Sequence, residues 1–253
     1  MISAVILAKN EEVNIKRVIN SVKWCDEVLI IDDGSIDKTV EIAKKMGTKI
    51  YPHLLNGDFA AQRNYGIEKA RGEWVLFVDA DEEVNINLAE EIRSAISKVE
   101  YDGYLIKRQD YFGGRWLNHG DKPRNTTSTG LIKLLRLAKK GTGSWKGVVH
   151  EEWIVSGKIG TLNNPLLHYP HQTIGEFIEA VNRFSTMQAD IYHKEGQKSS
   201  FWQIVLYPAG KFIKNYFFGL GFLDGTPGFM VAMMMTLHSY LVRSKLYLLT
   251  KKR

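Results

Sequence analysis

Residues 73–82 read Glu73-Trp74-Val75-Leu76-Phe77-Val78-Asp79-Ala80-Asp81-Glu82, an unbroken apolar run that turns acidic at its end. A strand apolar at every position is buried on both faces, which is the signature of a parallel sheet covered by helices rather than of a half-solvated antiparallel one. Working toward the N-terminus, Asp58–Arg71 has helical periodicity and is closed by Gly72, Thr48–Tyr51 is a short strand, and Asp37–Met46 is a helix stopped by Gly47. Before them come the apolar run Glu27–Ile31, the helical segment Glu11–Lys23, and a first apolar run, Ile2–Ala8. Strands alternating with helices in this way predict an α/β fold built on a mostly parallel sheet. Ligands of such sheets bind at the carboxyl ends of the strands. Those ends here carry Lys9-Asn10-Glu11, Asp32-Asp33 and Asp79-Ala80-Asp81.

Beyond a helix at about Leu88–Val99, strand-like segments at Tyr104–Lys107, Leu131–Leu137 and Trp153–Val155 stand among long polar, glycine-rich loops of the kind that carry function. Helical pattern returns over Ile174–Tyr192 and dominates after Ser200. The sequence therefore divides into a catalytic domain over 1–172 and a helical appendage over 173–253.

The 253-residue chain has a formal net charge of +6, and all of it sits in residues 201–253, residues 1–200 being formally neutral. Residues 201–253 hold seven Lys and Arg (Lys211, Lys214, Arg243, Lys245, Lys251, Lys252, Arg253) against one acid, Asp224. The neutral body argues against a nucleic-acid-binding protein, whose basic footprint should cover a folded face. A basic, aromatic, methionine-containing tail suits an anionic membrane surface, or another copy of the chain. The uncharged stretch Gly225–Val242 is close to bilayer-spanning length, yet Pro227, His238 and several small polar residues make it a poor single span. One cysteine, Cys25, leaves no internal disulfide, and the N-terminus lacks a basic leader, so the expected location is cytoplasmic, on the inner face of the membrane.

Side chains two apart in an extended segment point the same way, so Asp79 and Asp81 can converge on one hard divalent cation completed by water and phosphate. Asn10-Glu11-Glu12 and Asp32-Asp33-Gly34-Ser35-Ile36-Asp37 follow the first two strands, where helix capping is the plain alternative. Arg63, in Gln62-Arg63-Asn64, is placed to hold a phosphate if it faces the strand ends.

The order KNEE, VLIIDDGSIDKT and AQRNYGIEKARGEWVLFVDADEE closely resembles the family 2 glycosyltransferases, over roughly residues 1–100. That resemblance implies the GT-A fold, a nucleotide-sugar donor and an inverting reaction. It implies that Asp33 or Asp32 reads the uracil of a UDP-sugar, with Asn10 and Glu11 lining the donor. Arg63 would contact the donor, and Asp79 and Asp81 would bind ribose and Mg2+ or Mn2+. Further on, WKGVVHEE (145–152), PLLHY (165–169) and GFLDG (221–225) resemble the transferases that add glucose to the heptose-containing inner core of lipopolysaccharide, implying a lipid-linked saccharide acceptor. By the same resemblance the general base lies downstream of the Asp-x-Asp motif. Glu151 is the first candidate and Glu152 the second, with His150 beside them and His168 as a further metal ligand. A polyprenyl-phosphate acceptor is the alternative within the class. A nucleotidyltransferase is the alternative outside it, although Lys9-Asn10-Glu11-Glu12 lacks the glycines a triphosphate loop needs.

Overall fold

The computed structural model describes residues 1–98, 100–120, 132–147, 151–171 and 173–251. The elements run β1 (Ile2–Ala8), α1 (Ile15–Val22), β2 (Glu27–Asp32), α2 (Thr39–Lys45), β3 (Lys49–Pro52), α3 (Phe59–Lys69), β4 (Trp74–Asp79), β5 (Glu82–Glu83) and α4 (Ile86–Ser97). There follow β6 (Gly103–Phe112), β7 (Arg115–Trp116), β8 (Ile132–Lys139), β9 (Gly143–Lys146), β10 (Glu152–Val155) and β11 (Ile159–His168). Helices α5 (Ile174–Lys194), α6 (Phe201–Ile213) and α7 (Gly225–Lys251) close the chain, with a π-helical turn at Lys214–Phe218 and a 3-10 turn at Gly221–Asp224.

The main sheet has the order β3-β2-β1-β4-β8-β6-β11-β5. Its first four strands are parallel, with Val5 opposite Leu29 on one side and Phe77 on the other, and β8 joins β4 antiparallel. Alternation along the strands sends Ala4, Ile6, Leu76 and Val78 to one face, where they pack with Ile15, Ile19 and Leu88 of the helices. Val5, Leu29, Val75 and Phe77 go to the other face, against Ala60, Trp145 and Trp153. Both faces are covered, as the apolar strands require. On the second face α3 lies so close to β1 that a Cβ on Gly66 would come within 2.6 Å of Val5 Cγ1.

Two compact units emerge. The first comprises Met1–Arg108 and Lys133–His168; the second comprises Gln109–Ile132 and Tyr169–Arg253. In this division the segment after Arg108 groups with the helical tail. Within the second unit, buried Asp224 explains this. Its carboxylate accepts the Asn118 and His119 backbone N–H groups at 3.1 and 2.8 Å and lies 3.0 Å from His119 Nδ1. Phe112, Phe177 and Val181 form a small core of their own with Leu237 and Leu241.

Several element ends differ from the sequence reading. The first helix starts at Ile15 rather than Glu11, because the Glu11 and Glu12 N–H groups donate to Thr39 Oγ1 and Asp37 Oδ2 on the neighbouring loop. The same bonds delay the second helix to Thr39. The strand Ile159–His168 was not anticipated at all, since Asn163-Asn164-Pro165 reads as a loop. Glu91 of α4 supplies what the sequence hides: its two carboxylate oxygens accept the backbone and side-chain N–H groups of both asparagines at 2.7–3.1 Å.

Candidate active site

The carboxyl ends of β1, β2 and β4 lie side by side in the parallel half of the sheet, so the acids that follow them are gathered by topology. The loops after β1 and β2 are stitched together. Asn10, at φ 56, accepts the Ile36 N–H on its side-chain oxygen, and its own N–H donates to Ser35 Oγ. Asp32 turns back on its loop and accepts the Gly34 and Ser35 N–H groups, an arrangement helped by Gly34 at φ +71. Asp33 reaches outward instead, accepting the Leu55 N–H at 2.6 Å and the Lys9 ammonium at 2.8 Å. Burial would raise the Asp33 carboxyl, but these two donors outweigh it and hold the group below its ordinary range. Glu11 accepts from Asn14 Nδ2, and burial leaves its carboxyl above the usual value.

At the end of β4, Asp79 is gripped by two buried arginines. Arg63 Nη2 on α3 donates to Asp79 Oδ1 at 3.0 Å, and Arg136 on β8 reaches both Asp79 oxygens. Arg136 also lies 3.3 Å from Glu82, whose second oxygen accepts the Asp79 N–H at 2.8 Å. Glu82 is fully buried, and Arg63 and Arg136 are each 5% exposed. Burial works against an ionised Asp79, yet the charges of Arg136 and Arg63 reverse this and keep it well below the carboxylate range. For Glu82 burial prevails, aided by the Asp79 charge, and the carboxyl is pushed up.

Arg63 extends the network to a residue 88 positions further along the chain, because its Nε donates to Glu151 Oε1 at 3.0 Å. Its guanidinium lies 4.6 Å from the centroid of Trp145 and 5.5 Å from that of Phe77, while Trp145 and Trp153 stack at 5.5 Å. Asn64, next to Arg63, pins this wall by exchanging two hydrogen bonds with the Trp145 backbone. Arg63 is therefore held by ring faces as well as by carboxylates.

Asp81 sits in the turn after β4 and faces a different partner: His168 Nε2 lies 3.2 Å from Asp81 Oδ2. The pairing follows from β11 lying antiparallel to β5, with His168 opposite Glu82. Asp79 and Asp81, expected to converge on one cation, thus hold separate partners in the protein alone. Among the described residues no group of three or more His, Cys, Asp or Glu side chains is arranged to hold a metal. An Asp81 carboxylate beside a His168 imidazole does fit one divalent cation whose other ligands are phosphate oxygens and water.

Of the remaining candidates, Glu152 opens β10 as an exposed strand residue, and His150 lies outside the described residues. Arg136, Glu82 and Lys9 were not singled out from sequence. The one available signal for Arg136 was a cation inside the otherwise apolar strand pattern LLRLA.

The model described as glycosyl transferase family 2 matches residues 3–151, which contain every one of these groups except Glu152, Trp153 and His168. The chain belongs to this family. An uncharacterized glycosyltransferase of Rickettsia typhi is 31% identical to this family 2 glycosyltransferase, over 99% of this chain and 88% of its own length. The lipopolysaccharide core biosynthesis glycosyltransferase LpsC of Rhizobium meliloti is 27% identical over 97% of this chain and 92% of its own. The crystal structure of TarS from S. aureus superposes with a TM-score of 0.50 at 19% identity, covering 74% of this chain and 39% of that one, a likeness of GT-A fold alone.

Proposed function

We propose that this glycosyltransferase moves a hexose, glucose in the first instance, from a UDP-sugar to a saccharide carried on a lipid, with inversion at the anomeric carbon and with a divalent metal on the diphosphate. The observation that carries the reading is that three groups gather at the carboxyl ends of the neighbouring parallel strands: Asp33, the Arg63–Asp79–Arg136 network, and the Asp81–His168 pair. The acceptor class draws on the likeness to LpsC along nearly the whole chain.

Asp33 is the better candidate for the uracil N3–H, since its Lys9 partner is 60% exposed and free to swing away, whereas Asp32 is spent on its own turn. Asn10 and Glu11 hold the shape of that loop. Asp79, with both oxygens held by guanidiniums, is suited to fix the ribose or the strand end, which leaves Asp81 and His168 to hold Mg2+ or Mn2+. When bound, such a cation supplies Lewis-acid stabilisation of charge on the departing diphosphate. Glu151 is the proposed base for the acceptor hydroxyl. Arg63 fixes one of its oxygens, and its side chain is 16% exposed, so the carboxylate is both oriented and reachable.

Thermal-shift titration with UDP and CDP, with and without Mn2+, tests the donor half of this reading. UDP with Mn2+ should stabilise the protein and CDP should do so far less, because cytosine lacks the N3–H. Asp81→Ala should abolish the metal-dependent part. Equal shifts for both nucleotides would remove the uracil assignment, and a full shift in EDTA would remove the metal.

A further inference from the structure

Helix α6 is apolar through Phe201, Trp202, Ile204, Val205, Leu206, Tyr207, Phe212 and Ile213, yet the only side chain it buries is Pro208. Ser200 and Gln203 form a reciprocal capping box at its start, so the element is specified rather than accidental. One side of α6 packs on α7, where Phe212 meets Phe229 and Arg243 lies over Tyr207. Phe201, Trp202, Val205, Leu206 and Ile213 stay exposed, and an apolar helix face left open in this way calls for another apolar phase. The exposure continues past the helix. After the π-helical turn, Leu220 takes a left-handed conformation at φ 59, and Phe217, Phe218, Leu220, Phe222 and Leu223 all face outward, Phe218 at 80% exposure. Two polar groups of this bend turn inward, Asn215 and Asp224 at 1% exposure each, while Lys214 stays outside. Apolar outside and polar inside is the inverse of a water-exposed loop.

The two arms, Phe201–Phe218 and Gly221–Lys251, meet at 68°, and no single helix among the described residues is long and apolar enough to cross a bilayer. Charge identifies what covers the face. Across 201–251 the cations are Lys211, Lys214, Arg243, Lys245 and Lys251, and the sole acid, Asp224, is internal. A second copy docked on the same face would set Lys214 against Lys214 with no acid of this segment exposed to meet it, whereas an anionic headgroup layer complements it.

We propose that α6 and the following bend are a monotopic anchor that enters one leaflet of an anionic phospholipid bilayer, with Phe217, Phe218, Leu220, Phe222 and Leu223 as its inserted tip. The anchor is hydrophobic first and electrostatic second. Each tip side chain moved from water contributes on the order of tenfold to partitioning, while Lys214 is the only charge among the exposed residues of the tip and α6. That the anchor serves to meet a lipid-borne acceptor rests on the proposed function; insertion itself does not.

Flotation of the full-length protein with phosphatidylcholine vesicles containing phosphatidylglycerol tests this directly. The wild type should float in molar salt as well as in dilute buffer. Phe217→Ser/Phe218→Ser and Phe222→Ser/Leu223→Ser, both made at exposed positions, should each lower partitioning by on the order of 100-fold. Their circular dichroism and nucleotide-induced thermal shift should stay unchanged. Release of the wild type by salt, or full flotation of both double variants, would overturn insertion. A dimer in sedimentation that both variants abolish would assign the face to self-association and overturn it too. Flotation that persists in a protein giving no shift with UDP would leave the anchor standing and remove only the donor reading.

Discussion

Replacing Arg136 by methionine removes a buried cation without removing the volume of its stem. In the wild type Arg136 is the cationic partner of Glu82, which has no exposure, and one of two partners of Asp79. The variant leaves Asp79 with Arg63 and leaves Glu82 with a backbone N–H and only the weaker charge influence of Arg108 and His168. Breaking a buried ion pair by deleting one member costs about 3–5 kcal/mol. In a chain of this size each kcal/mol moves the midpoint by about 2–4 °C, so Arg136→Met should melt roughly 6–20 °C below the wild type. The second arm separates charge from packing. Glu82→Gln in the Arg136→Met background can still accept the Asp79 N–H but needs no counter-charge, and should restore about 1–3 kcal/mol, the coupling expected within one network. Thermal denaturation by circular dichroism on the four proteins of the cycle reads both effects. A single variant melting within about 2 °C of wild type, or a double variant no better than the single, would refute the account of Arg136 as the counter-charge that lets this corner be buried.

Glu151→Gln keeps the acceptor for Arg63 Nε but loses the proton sink, so single-turnover transfer should fall by about 10²–10⁴-fold with UDP affinity unchanged; weakened UDP binding would instead make Glu151 a support for Arg63, and a dead Glu152→Gln would move the base by one residue. The Asp33 carboxyl is depressed in the fold, so its stabilising contribution is complete above the unfolded carboxylate value of about 3.9 and is lost as pH falls through the lower folded value. Asp33→Asn should therefore flatten the acid limb of urea midpoint against pH, and an unchanged acid limb would show that the Lys9 and Leu55 contacts add nothing to stability.

The parallel half of the sheet and the location of the candidate site could be read from the chain because both depend on local pattern. Fully apolar strands such as Trp74–Val78 have one burial solution, and a parallel sheet puts its polar residues at the carboxyl ends by geometry. The motif acids Asp33, Asp79 and Asp81 are visible for the same reason, since each follows its strand directly. What the residues do to one another was not legible. Asp79 and Asp81 are two apart and were expected to share a cation, but their partners come from 57 and 87 residues away: Arg136 through the antiparallel pairing of β8 with β4, and His168 through that of β11 with β5. No local pattern encodes a register between distant strands, and the strand that carries His168 depends on a single acid of α4, Glu91, satisfying two asparagines. The tail shows the same division. Composition alone made it basic and apolar, whereas only the bend at Leu220, which buries Asn215 and Asp224 and turns Phe217, Phe218, Phe222 and Leu223 outward, decided which of those residues are left exposed.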